Sequence, residues 1–175
     1  MNHDAQNFPT IHYQPGTDAF ESLEKNHFDS RVHFDRIVCD VPCSSDAAIR
    51  KIPQKWENWD PTDGAALHSL QLKILLRSLK LLKPNSEDSF LTYSTCSLNP
   101  IENEAVVHTA LKTLNENSVF GEEYELVDCR DKLLPFKTRK GLTTWKVFDS
   151  IKREERRSKK AEENKEEEVE KKESE

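Results

Sequence analysis

The sequence predicts an α/β fold, a small sheet with crossover helices over residues 1–150 followed by a charged tail over 151–175. Two observations predict the sheet. Short apolar runs suited to strands alternate with longer stretches of helical periodicity, the order that builds layered α/β architectures. The first run stops at a proline, as a buried strand's does when it reaches the sheet rim. A third observation predicts the tail, because from Lys152 onward nearly every side chain is charged. The 175 residues suit one domain with an appendage. With 35% apolar against 33% charged residues and a mean hydropathy of -0.81, part of the chain is expected to stay solvated.

Phe34-Asp35-Arg36-Ile37-Val38-Cys39-Asp40-Val41 is the first expected strand, read as buried from its apolar centre. A polar, aromatic stretch runs from Pro42 to Pro61. Thr62 or Asp63 is then the expected cap of a helix over 64–83. Leu67, Leu70, Ile74 and Leu81 fall near one helical face, Leu72, Leu75, Leu76, Leu79 and Leu82 widen it, and Pro84 ends it. Phe90 to Thr95 reads as a second strand, parallel to and beside the first because one crossover helix joins them. Asn99-Pro100-Ile101-Glu102 offers a cap, a proline at the first helical position and a carboxylate at the third, for a helix from Pro100 to about Asn115. Glu125 to Cys129 and Thr143 to Phe148 are β-branched or aromatic enough for two more strands.

The tail holds nine basic and ten acidic residues between Lys152 and Glu175, with Val169 its only aliphatic larger than alanine. Such a segment buries too little to offset the entropy of ordering. Its basic front, Lys152 to Lys160, fits a solubilising segment first and a nuclear import signal or RNA-phosphate contact second. The net charge of -6 gives no bulk basicity for nucleic-acid binding. No apolar run approaches the ~18 residues that span a bilayer, and Met1-Asn2-His3-Asp4 does not open a leader, so membrane and secreted classes are not expected. Cys39, Cys43, Cys96 and Cys129 are therefore read as free thiols.

Two of these thiols carry the functional argument. Cys43 and Cys96 each lie at or just past the end of an expected strand, which places both at one sheet edge. Their sulfurs are expected within roughly 10 Å, the scale on which two groups can serve one base ring. The plainer fate of a free cysteine is a small buried hydrophobe, and Cys39 and Cys129 are read that way. Zinc is disfavoured because Cys39-x-x-x-Cys43 has no matching Cys/His pair, so no metal site is expected. A cysteine protease is disfavoured because His68 and His108, the histidines within expected elements, suit exposed helical positions.

The local words Asp40-Val41-Pro42-Cys43-Ser44 and Thr95-Cys96-Ser97-Leu98-Asn99-Pro100-Ile101-Glu102-Asn103-Glu104 resemble two motifs of the RsmB/NOP/Sun family of RNA 5-methylcytosine methyltransferases. Asn2-His3-Asp4-Ala5 resembles a segment of its eukaryotic tRNA branch. The resemblance implies a Rossmann-like, S-adenosylmethionine-dependent methyltransferase sheet acting on RNA of the tRNA class. It implies Cys96 as the nucleophile that adds to carbon 6 of cytosine, because carbon 5 alone attacks a methyl donor poorly. It implies Cys43 as the thiol that assists release, Asp40 as a contact to both cofactor and base edge, and Asp4 as a contact to the cofactor's adenine side.

Ser45 and Ala47 stand where the family pattern has glycines, so a need for positive φ at either would strain the loop. The family's first strand, glycine-rich cofactor turn, ribose-gripping acid and catalytic lysine fall before Asn2. The expectation is thus a partial sheet lacking the first cofactor-binding strands, inactive alone, with RNA and a chain supplying the missing half as partners. Arg50, Lys51, Lys55, Trp56 and Trp59 form the expected RNA face, since cations beside aromatics suit phosphate contact and base stacking; the plainer alternative packs both tryptophans on the leucine-rich helix. A nuclear location follows from the tail's basic front and the family branch. The competing function, from another class, is a non-catalytic RNA-binding or protein-interaction fragment.

Overall fold

A computed structural model describes residues 4–9, 32–84, 86–116 and 123–147. The tail from Lys152, together with Asn2 and His3, lies outside the described residues. The chain divides into two units, Met1–Thr143 and Thr144–Glu175, and every element below belongs to the first.

The sheet consists of β1 (Arg36–Asp40) and β2 (Phe90–Ser94), parallel and adjacent, with Cys39 opposite Tyr93 and Asp40 opposite Ser94. Between them lie a helical turn, α1 (Lys55–Asn58), and the crossover helix α2 (Pro61–Leu81); α3 (Glu104–Glu116) follows β2. Parallel strands cannot be joined by a hairpin, so α2 is the element that permits the pairing.

Asp60, rather than Thr62 or Asp63, caps α2: its extended backbone turns its carboxylate to accept from the Thr62 N–H at 2.8 Å and hydroxyl at 2.6 Å. Pro61 takes the first helical position, where no amide donor is missed. The cap therefore lies outside Thr62 and Asp63, with the polar Asp60-Pro61 pair starting the helix. α3 also begins later than expected. Residues 100–103 form a turn in which the Glu102 N–H donates to the Asn99 carbonyl, and regular helix starts at Glu104.

Alternation along the strands decides the core. Ile37, Cys39 and Val41 from β1 and its exit, with Leu91 and Tyr93 from β2, turn toward the helices, where Ile74, Leu75, Leu79, Val106 and Ala110 are buried. Val38 on the opposite face is 80% exposed, so β1 is a half-buried strand rather than one covered on both faces. Two expected strands are absent. Residues 125–129 and the described part of 143–148, up to Val147, form no ladder, and Leu126 is 78% exposed. β propensity needs a neighbouring strand to realise it, and among the described residues neither segment has one. Cys129 is accordingly exposed rather than core.

Candidate active site

Both strand exits deliver a cysteine to the same edge. The Cys43 and Cys96 sulfurs are 3.2 Å apart as free thiols, well inside the expected limit. The register explains it: Asp40 pairs with Ser94, so the chain leaves both strands level, and the Val41 N–H still donates to the Ser94 carbonyl at 3.2 Å. The two loops are then stitched together. The Ala47 N–H donates to the Cys96 carbonyl at 3.2 Å, and the Leu98 N–H to the Asp46 carboxylate at 2.8 Å.

The thiols differ in setting. Cys96 is exposed, whereas Cys43 is half-buried. Burial, reinforced by the hydrogen bond with Cys96, pushes the Cys43 thiol up, so it keeps its proton at neutral pH. Ser45 sits against both: the Cys96 thiol donates to its Oγ at 3.3 Å, and the Cys43 sulfur is 3.7 Å away. Ser45 adopts φ 62°, the only positive φ outside glycine among the described residues. Ala47 lies within a 3-10 turn, Asp46–Ala48, and carries no such strain. Of the two missing glycines, one position alone wanted positive φ.

Behind the thiols stands Glu102, with 0% of its surface exposed. Its Oε1 accepts from the Ser44 N–H at 2.8 Å and Gln71 Nε2 at 3.0 Å, and its Oε2 from Ser44 Oγ at 2.6 Å and Ser97 Oγ at 2.7 Å. Burial by itself would raise this carboxyl, but the donors from Ser44, Ser97 and Gln71 outweigh it and hold the group below the usual carboxylate range. Tyr93 donates its hydroxyl to the Glu102 carbonyl at 2.7 Å, and burial keeps that phenol neutral by pushing it up.

A family model described as 16S rRNA methyltransferase RsmB/F matches residues 17–132. The chain is 45% identical over 149 residues to the multisite-specific tRNA:(cytosine-C(5))-methyltransferase of Saccharomyces cerevisiae, covering 85% of this chain and 19% of that protein. A Schizosaccharomyces pombe protein of the same description, trm4b, is 44% identical over 85% of this chain and 20% of its own length. The tRNA (cytosine(34)-C(5))-methyltransferase of Drosophila melanogaster is 36% identical over 83% of this chain and 17% of that protein. The chain belongs to the RsmB/F methyltransferase family. It spans about a fifth of the length of these relatives.

Within this RsmB/F chain the other expected site residues are placed unequally. Asp40 is exposed at the end of β1, where Ser94 donates to one carboxylate oxygen at 2.8 Å. Asp4 is exposed and caps the 3-10 turn Ala5–Asn7, accepting from the Gln6 N–H and side-chain amide at 3.2 and 3.0 Å. That turn packs on α2, where Arg77 donates to the Gln6 carbonyl at 3.3 Å. For a molecule with adenine, ribose and methionine parts, the described residues offer these carboxylates and no glycine-rich turn after a strand, so they do not by themselves fit whole S-adenosylmethionine.

The expected RNA face divides. Arg50 and Lys51 are exposed and Trp56 is 76% exposed, while Lys55 is half-buried. Trp59 is also half-buried, its indole N–H covered and without a partner, so the packing alternative fails for Trp56 and the two tryptophans differ in exposure. His68 turns its Nδ1 to the Ile101 carbonyl at 2.7 Å and is only partly exposed, whereas His108 is exposed. Cys39 is core as expected, its thiol pushed up chiefly by burial.

Sequence reasoning missed Glu102, Ser44, Ser97, Gln71 and Ser45 as site residues. The spacing of Glu102 from Asn99 suits a helix cap, and a capping carboxylate and a buried one look alike in sequence. The available signal was the serine directly after each cysteine.

Proposed function

We propose that this chain carries the cytosine-handling half of an RNA cytosine-5 methyltransferase, with RNA of the tRNA class as substrate and S-adenosylmethionine as methyl donor. The observation that carries the reading is the pair of free thiols 3.2 Å apart at the exits of adjacent parallel strands. Membership of the RsmB/F family and the tRNA cytosine-C5 descriptions of the relatives support it.

In this reading Cys96, the exposed thiol, attacks as thiolate: a sulfur–carbon bond forms at carbon 6, and the carbon 5–carbon 6 π pair becomes available at carbon 5. When bound, S-adenosylmethionine would supply an electrophilic methyl for that carbon, its sulfonium leaving as the neutral thioether; the described residues account for the activation of the carbon and not for the whole of the donor's site. The carbon-5 proton then passes to solvent water, its C–H electron pair restoring the double bond as the sulfur–carbon bond breaks and the Cys96 thiolate leaves. Cys43, which holds its proton against the departing sulfur, assists this release. In the same reading Asp40, which accepts from Ser94, would accept from the cytosine amino group, and Arg50, Lys51 and Trp56, all exposed, would offer cations and a stacking surface to the strand.

An RNA carrying 5-azacytosine tests the reading without a methyl donor. Its nitrogen at position 5 makes carbon 6 more electrophilic and takes up a proton when sulfur adds. The chain and its Cys43→Ala variant should each give a band joined to RNA on denaturing gels, and Cys96→Ala should give none. A band retained by Cys96→Ala, or none with the unmutated chain, would overturn the assignment and favour a non-catalytic RNA-binding fragment.

A further inference from the structure

Glu102 is a fully buried carboxylate that no cation approaches among the described residues. Burying an unpaired charge is costly, and a capping role would have left it at the surface. Its four acceptor contacts show what the burial achieves. Ser44 is the residue after Cys43, and Ser97 is the residue after Cys96, so one carboxylate grips the neighbour of each thiol. Gln71 Nε2, which donates to Glu102, also donates to the carbonyl of Pro42 at 2.9 Å, the residue before Cys43. The Tyr93 hydroxyl fastens the Glu102 backbone to β2.

We propose that Glu102 is the positioning residue of the two-cysteine site: its carboxylate clamps both cysteine loops and so sets the separation of the Cys43 and Cys96 sulfurs. The inference deepens the proposed reaction and rests on it for its catalytic meaning. A carboxylate suits the task because it only accepts, with room for about four donors, and so can receive from two loops at once. Four other hydrogen bonds cross between the loops, from the Ala47 N–H to the Cys96 carbonyl, from the Leu98 N–H to Asp46, from the Cys96 thiol to Ser45 Oγ and between the two sulfurs, but all lie on more accessible residues where water competes. Gly64 on α2 leaves the space for the clamp: a Cβ there would stand 2.9 Å from Glu102 Oε2.

The test measures the thiol pair itself. In a glutathione buffer the dithiol chain and glutathione disulfide exchange to a Cys43–Cys96 disulfide and two glutathione thiols, and the equilibrium constant reports how well the fold holds the sulfurs together. The 175-residue chain is used with Cys129→Ser as background, and peptide mapping quantifies the bond. Glu102→Ala should lower that constant at least tenfold. Glu102→Gln should recover most of the loss, since serine hydroxyls can reverse and accept from its amide. Val106→Ala, a core cavity of comparable expected cost, should stay within about twofold.

If Glu102→Ala proves unfolded by circular dichroism, Ser44→Ala and Ser97→Ala decide, each expected to lower the constant severalfold. Equal losses in Glu102→Ala and Val106→Ala, or no loss in the serine variants, would overturn the proposal. The exchange uses neither RNA nor methyl donor. A failed azacytosine trap beside a Glu102-dependent constant therefore refutes the proposed reaction alone, and a working trap beside a Glu102-independent constant refutes the clamp alone.

Discussion

Gly64→Ala sets two opposing effects against each other. Alanine in place of glycine inside α2 gains about 1 kcal/mol of helix propensity. Against it, the new Cβ would meet Asn99 Nδ2 at 2.5 Å, Glu102 Oε2 at 2.9 Å and Glu102 Cδ at 3.1 Å. The Asn99 amide nitrogen is the end of a half-buried side chain and can swing about its Oδ1, which accepts from the Ile101 N–H at 3.1 Å. Glu102 Oε2 cannot, because it is the oxygen held by both serine hydroxyls at 2.6 and 2.7 Å. Hydrogen bonds to a charged group contribute about 1.5–3 kcal/mol each. Weakening both by half costs about 1.5–3 kcal/mol, and the helix gain leaves a net loss of about 0.5–2 kcal/mol. Urea melts of the two chains should show a lower midpoint at unchanged slope. A variant more stable than the parent would refute the reasoning, since it would mean that Glu102 moves freely and propensity alone governs the site.

Iodoacetamide at neutral pH should label Cys96 ahead of Cys43, read by peptide mass, since one thiol is exposed and the other half-buried and held protonated; the reverse order would remove the division of roles. Ser45→Gly should raise stability by about 0.5–1 kcal/mol in denaturant melts, because releasing a left-handed residue gains about 1–2 kcal/mol and glycine's freer unfolded chain returns part of it. Asp60→Ala should cost about 1 kcal/mol by the same measurement through loss of the α2 cap. Because the folded-state pKa of Glu102 is lowered, its stabilisation is fully present above the ordinary carboxylate range and is lost as pH falls through the folded value; acid titration should destabilise the parent below about pH 4.5 more than Glu102→Gln.

What was legible in the sequence followed local rules. The 34–41 and 90–95 runs, the leucine-rich helix and the end-of-strand cysteines all follow from periodicity and connection rules, and they fix the thiol pair at one edge. The expected strands 125–129 and 143–148 form no ladder over their described residues, because strand identity depends on a neighbour rather than on the segment, and no described residue provides one. The same limit hid Glu102. Its role comes from Ser44, which lies 58 residues away in the chain, and from Gln71, which lies 31 away, so nothing in the local spelling Asn99-Pro100-Ile101-Glu102 distinguishes a clamp from a cap.

The asymmetry between the thiols grows from how each loop leaves its strand. Cys43 follows Val41 and Pro42 into a loop whose next residue, Ser44, is drawn inward by Glu102, so its sulfur is carried partly under the surface. Cys96 follows Thr95, whose hydroxyl binds the Asn103 side chain at 2.7 Å, and the serine beyond it is likewise drawn in, but at the outer turn of a loop that leaves Cys96 exposed. One buried carboxylate thus holds two sulfurs close while the loop paths give them different access to water. The proposed reaction needs both conditions together: an accessible sulfur that can reach carbon 6, and beside it a half-covered sulfur that keeps its proton.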